Sequence, residues 1–139
     1  VETVKVHGVL ETAIYVDDLQ LATDFYRRLF EFEVMAEDRR FCALNAGDRS
    51  VFLIFKRGAS HTAAHLEGGT IPPHDGAGPV HFAFAIDRAD LQKWEARLVA
   101  DGVEIESRVS WPRGGESLYF RDPDNHVVEL ATPGIWPIF

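Results

Sequence analysis

Apolar and small residues dominate positions 9–16 and give way at Val16 to the acidic pair Asp17-Asp18, which predicts a strand running into a helix N-cap. Leu19, Ala22, Phe25, Tyr26, Leu29 and Phe30 then recur at helical spacing, with Asp24, Arg27 and Arg28 on the opposite side, so one face of this helix must be covered. Three strand-like runs follow, around 32–36, 40–46 and 51–56, the last two separated by Ala46-Gly-Asp-Arg-Ser50, a sequence suited to a tight hairpin. Over residues 57–79 the periodicity disappears into Gly, Pro, His, Ser and Thr, and a connector of this length reads as a functional lid or a linker. The pattern then restarts with a strand at 80–86, a helix at 88–101 with Asp87 as N-cap and Gly102 as stop, a strand at 103–107, a loop at 108–115, and strands at 116–121 and 126–131 joined by Asp122-Pro-Asp-Asn125. The expected fold class is α+β, one domain of two βαβββ modules: module one at 9–56, connector 57–79, module two at 80–132, and an apolar tail at 133–139.

The two modules can be laid over each other. Glu11-Thr-Ala-Ile-Tyr-Val16-Asp17 then falls on His81-Phe-Ala-Phe-Ala-Ile86-Asp87, and Glu11 takes the place of His81. Because strand side chains alternate faces, Glu11 shares a face with Ala13 and Tyr15, and His81 with Ala83 and Ala85. Glu129, flanked by Val127 and Ala131 on its own side of the last strand, is a third polar residue on an uncrowded face. Taken singly, a strand glutamate reads as a solvated residue and a strand histidine as a hydrogen-bonded structural one. The shared repeat position favours a metal site. Two carboxylates and an imidazole form a mixed O/N donor set suited to Mn, Fe, Zn, Co or Ni, and three protein ligands leave positions for water or substrate.

Composition narrows the partners. A chain of 139 residues with 46% apolar content and ten Phe can build its own core, and a formal charge of −8 argues against nucleic acid or an anionic membrane surface. A small-molecule substrate fits better. Cys42 is the only cysteine, which excludes an intrachain disulfide, and with no membrane-length apolar run the expected setting is cytoplasmic. Other candidates are weaker. His61 and His65 stand i, i+4, but Thr62 replaces the glutamate of a zincin motif, and the Gly-rich surroundings do not read as a helix. Trp111 and Arg113 could close over a substrate and hold an anionic group, or be a packed indole and a solvated guanidinium. Tyr119 could donate a proton or a hydrogen bond to bound oxygen. Phe41, Val51, Leu53 and Phe55 would give a site an apolar wall, yet they would equally suit an ordinary core.

The segments Leu10-Glu-Thr-Ala-Ile-Tyr-Val-Asp-Asp-Leu19 with Phe25-Tyr26-Arg27, Gly78-Pro-Val-His-Phe-Ala-Phe84, and Ser117-Leu-Tyr-Phe-Arg-Asp-Pro-Asp124 with Val128-Glu-Leu130 strongly resemble the vicinal oxygen chelate superfamily. That group includes glyoxalase I, fosfomycin resistance enzymes, bleomycin resistance proteins and extradiol dioxygenases. The resemblance covers essentially the whole chain. It implies a cupped mixed sheet with a divalent metal at its floor, and ligands from the first and last strands of the modules. Those positions are Glu11, His81 and Glu129, while Leu53 stands where glyoxalase I-like members usually have a carboxylate. Three-ligand members usually have histidine where this chain has Glu11. Small members commonly form homodimers in which one chain supplies Glu11 and the other His81 and Glu129. The implied activity is that of a metal-dependent lyase, isomerase or dioxygenase in which Glu11 or Glu129 doubles as a base; the alternative is a non-catalytic protein that sequesters a bulky compound.

Overall fold

The computed structural model describes residues 2–139 and divides the chain into two compact units, residues 1–77 and 78–139. In the first unit, β1 (Glu11–Val16) leads into α1 (Leu19–Phe30), followed by β2 (Glu33–Glu37), β3 (Phe41–Ala46) and β4 (Ser50–Lys56). Asp18 caps α1 by accepting from the Leu21 N–H at 3.0 Å, and Arg27 and Arg28 lie in its last turn, where the helix dipole favours cations. The strands order as β1-β4-β3-β2, with β1 and β4 parallel and the other neighbours antiparallel. One face of this sheet, carrying Ile14, Val16, Leu44, Phe52 and Ile54, is buried. Ala22, Phe25, Tyr26 and Leu29 of α1 are buried too, and Tyr26 meets Phe52 with ring centroids 4.8 Å apart. Alternation therefore frees the other face for Glu11, Ala13 and Tyr15.

The connector is not structureless. It contains a two-stranded hairpin, β5 (Ala64–Leu66) with β6 (Gly69–Ile71), which belongs to the first unit. Three-residue strands are too short to leave a periodic signal in the sequence.

In the second unit, β7 (His81–Ala85) is followed by a 3₁₀ turn at Arg88–Asp90, α2 (Leu91–Ala100), β8 (Ser107–Ser110), β9 (Glu116–Arg121) and β10 (Val127–Ala131). The order β7-β10-β9-β8 repeats the first sheet, with β7 parallel to β10. Two expectations are corrected here. The helix begins as a 3₁₀ turn and Asp87 makes no side-chain cap hydrogen bond. The strand expected at 103–107 starts only at Ser107, because the Val103 N–H is taken by the Leu98 carbonyl at the end of α2, and pairing with β9 then runs through Ser110.

Glu31 adopts the left-handed conformation (φ 57°) after α1, whereas Gly102 (φ 72°) takes that conformation after α2. Asn125 also has positive φ (67°), in a turn where Asp122 Oδ1 accepts from the N–H groups of Asp124 and His126. The apolar C-terminal tail stays exposed at Trp136, Ile138 and Phe139. No helix among the described residues is long and apolar enough to cross a membrane.

Candidate functional site

Register places the second unit's polar residues. In the parallel pair β7/β10, His81 stands beside Val127 and Ala83 beside Glu129; across β9, Tyr119 is directly opposite Glu129 and Ser117 opposite Ala131. His81, Glu129, Tyr119 and Ser117 therefore occupy one face, while Leu118, Phe120, Val128 and Leu130 fill the buried one.

Hydrogen-bond direction then fixes the chemistry of this cluster. His81 Nδ1 lies 3.0 Å from the Val127 carbonyl oxygen, which can only accept, so Nδ1 carries hydrogen. His81 Nε2 points at Glu129 Oε1, 3.2 Å away. The other oxygen, Oε2, accepts from the Ser117 hydroxyl at 2.5 Å, and Ser117 Oγ in turn accepts from the Trp111 indole N–H at 2.8 Å. An indole N–H can only donate, so the Ser117 hydrogen is left to point at the carboxylate. Glu129 is buried and tethered at one oxygen, and His81 remains open to solvent. Tyr119 holds its ring centroid 6.1 Å from that of His81. Burial first, and the nearby Glu129 carboxylate second, push its phenol above the ordinary tyrosine value, so at neutral pH it is a proton donor.

The first unit carries a different surface. Glu11, Ala13 and Tyr15 pair in register with Val51, Leu53 and Phe55, and Phe41 stands opposite Phe55 on β3. Leu53 beside Ala13 is the register equivalent of Glu129 beside Ala83. Over this face lies a cavity of about 510 Å³ lined by Glu11, Tyr15, Arg40, Phe41, Leu53 and Phe55, together with Ser60, Ile71 and His74 from the connector. The connector is fastened to the sheet: Tyr15 Oη and His74 Nδ1 are 2.7 Å apart, Arg57 donates to the carbonyls of Tyr15 and Gly76 and pairs with Asp17, and the Gly58 N–H and His61 both reach Asp75. Gly76 lies so close to the Tyr15 ring that an added Cβ would come within 2.5 Å of it.

Sequence-expected residues thus fall into two places. Glu11, Phe41, Leu53 and Phe55 line the cavity of the first unit, and His81, Glu129, Tyr119 and Trp111 gather in the second. Among the described residues, no three His, Cys, Asp or Glu side chains converge on one point. Arg113 is exposed on the turn closed by the Trp111 and Gly115 backbones. His61 and His65 turn to Asp75 and Thr70. Ser117, Tyr15 and His74 had not been singled out; Ser117 shares strand parity with Tyr119, a signal available in the sequence, whereas His74 reaches Tyr15 only through the fold of the connector.

The family model described as Glyoxalase/Bleomycin resistance protein/Dioxygenase superfamily matches residues 8–130. A metallothiol transferase FosB of Bacillus licheniformis is 29% identical over 138 residues, covering 97% of this chain and 81% of that protein. A fosfomycin resistance protein FosX of Listeria monocytogenes is 29% identical, covering 90% and 89%. Among solved structures, a lactoylglutathione lyase from Agrobacterium tumefaciens superposes with a TM-score of 0.86 at 32% identity, covering 96% of this chain and 98% of that one. With two βαβββ modules in matching register and a family match across nearly all of its length, the chain belongs to the glyoxalase/bleomycin resistance protein/dioxygenase superfamily.

Proposed function

We propose that this protein is a divalent-metal enzyme acting on a small organic substrate whose adjacent oxygens bind the ion, with Glu11, His81 and Glu129 as metal ligands. The observation that carries the reading is the facing pair His81 Nε2 and Glu129 Oε1. With Nδ1 committed to the Val127 carbonyl, Nε2 faces a carboxylate oxygen 3.2 Å away, a contact that a proton on Nε2 satisfies and that a divalent cation held by both atoms would satisfy as well. His81 Nε2 and Glu129 Oε1 would be the two atoms of this unit that hold such an ion. The donor set therefore fits a divalent ion of the Mn, Fe, Zn, Co or Ni type. The names of the relatives, metallothiol transferase and lactoylglutathione lyase, support the same broad class.

A bound ion would supply Lewis acidity toward a substrate oxyanion. The chain's own groups do the rest. Ser117, oriented by Trp111, holds Glu129 Oε2 and leaves Oε1 for the ion. Tyr119 keeps its proton and can donate to a substrate oxygen. Leu53 offers no fourth ligand, so positions stay open for substrate. Glu11 stands on the other unit, and a homodimer in which one protomer provides Glu11 while the other provides His81 and Glu129 completes the set. The reaction would be an isomerisation, addition or oxygenation, with Glu11 or Glu129 able to act as base on leaving the ion.

Metal content of protein purified without chelator tests this, measured beside His81→Ala. About one ion per chain in the parent, with affinity reduced at least about 100-fold in the variant, is expected, since loss of a direct ligand should exceed the 10–100-fold typical of outer partners. A parent protein that binds no divalent ion contradicts the proposal, and a sequestering role then takes its place.

A further inference from the structure

We infer that the cavity of the first unit selects substrates with a flat aromatic body, rather than short aliphatic ones. The inference rests on the proposed metal reading only for what lies at its Glu11 end. Apart from that, it stands on the two faces of one sheet. On the helix-covered face Ile14, Phe52 and Ile54 are at most 1% exposed. On the cavity face Tyr15, Phe41, Leu53 and Phe55 are all left partly open, and Ile71 of the connector hairpin, which also lines the cavity, is 47% exposed. Aromatic surface left wet in a concave site, rather than buried like the residues next to it in the strand, marks a place where a ligand completes the packing.

The ring geometry narrows what that ligand is. Phe55 sits at the centre, with Tyr15 nearly parallel to it (5.7 Å, 22°), Phe41 tilted beside it (5.9 Å, 30°) and His74 edge-on (4.6 Å, 76°). An inserted flat ring can stack on one member of this group while meeting another by its edge, contacts that an aliphatic chain of the same area lacks. The volume of about 510 Å³ is in the range of small-molecule sites and far exceeds the needs of a three-carbon acid. The polar lining is Glu11 and Arg40 from the sheet and Ser60, Thr62 and His74 from the connector. The Tyr15 hydroxyl is engaged with His74, which fastens the connector wall to the sheet. The occupant would be amphipathic, with an aromatic body over Phe55 and its oxygen donors towards Glu11.

Binding of 3-hydroxy-2-naphthoate, a fused aromatic with adjacent oxygen donors, compared with 2-hydroxypropanoate by calorimetric titration tests the inference with and without Mn²⁺. The naphthoate should bind at least about tenfold more tightly than the aliphatic acid in both conditions. Phe55→Leu, which keeps an apolar side chain but loses the ring, should weaken naphthoate by about five- to tenfold with an unchanged thermal midpoint, and leave the aliphatic acid unaffected. Phe41→Leu should act in the same direction and provides a second variant should the first misfold. Equal affinities for the two acids, or indifference of naphthoate to both variants, would overturn the inference even if Mn²⁺ binds. Naphthoate preference that is lost in the variants but does not respond to Mn²⁺ would uphold it while removing the metal reading.

Discussion

In the first module Leu53 stands between Ala13 and Ala43; at the same register position in the second, Glu129 stands between Ala83 and Tyr119. The comparison continues outward. Phe41 opposite Phe55 corresponds to Ser117 opposite Ala131, and Tyr15 beside Phe55 corresponds to Ala85 beside Ala131. One scaffold has therefore been filled twice with opposite chemistry: aromatic rings and a cavity in the first module, and a tethered carboxylate with an imidazole in the second. Backbone register sets where side chains go, and the residues placed there decide what each half can do. Two βαβββ modules can thus keep their topology while dividing labour between an apolar wall and a polar centre.

Ser117 tethers the carboxylate of the polar half, and its register counterpart in the apolar half is Phe41. Ser117→Ala makes this position apolar like its counterpart and frees Glu129 Oε2, so Mn²⁺ affinity should fall by about 10–100-fold, roughly 1.4–2.7 kcal/mol, in a titration followed by electron paramagnetic resonance. Trp111→Phe leaves the serine present with a free rotor and should give a smaller loss in the same direction, about threefold to tenfold. Unchanged affinity in both would mean that the second module's register carries no positioning role. A smaller difference between the halves lies at their helix ends. Glu31 carries left-handed backbone that Gly102 adopts without strain, so Glu31→Gly should raise stability by about 0.5–1 kcal/mol and the thermal midpoint by about 2–4 °C. Gly102→Glu should do the reverse. If both substitutions destabilise, the helix ends differ by more than backbone conformation.

Much of this division was legible in the sequence. Hydrophobic spacing marked α1 and the strands β3, β4, β9 and β10, and strand parity put Glu11 with Tyr15 and His81 with Ala83 on the faces where the structure has them. Leu53, which the family resemblance placed at a ligand position of the first module, is the register equivalent of Glu129. Signals failed where the determining contacts are non-local. Val103-Glu-Ile105 alternates like a strand, yet the Val103 N–H is claimed by α2, a bond that depends on how the helix ends. The 57–79 segment lacked periodicity because its order comes from scattered anchors: His74 on Tyr15, Arg57 on Gly76, and Asp75 on Gly58 and His61. No local pattern could reveal those partners. The Trp111–Ser117–Glu129 chain was missed for a related reason, since its meaning lies in hydrogen-bond direction rather than in spacing.

The proposed centre draws Glu11 from one protomer and His81 with Glu129 from the other, and complementation between variants reads this out directly. Glu11→Ala and His81→Ala homodimers should each bind Mn²⁺ at least about 100-fold more weakly than the parent. After mixing and subunit exchange, the heterodimer should regain one tight site, because its His81→Ala chain supplies Glu11 and its Glu11→Ala chain supplies His81 and Glu129. Recovery of about one tightly bound ion per mixed dimer is the predicted result; no recovery despite verified exchange would contradict a metal centre shared in this way.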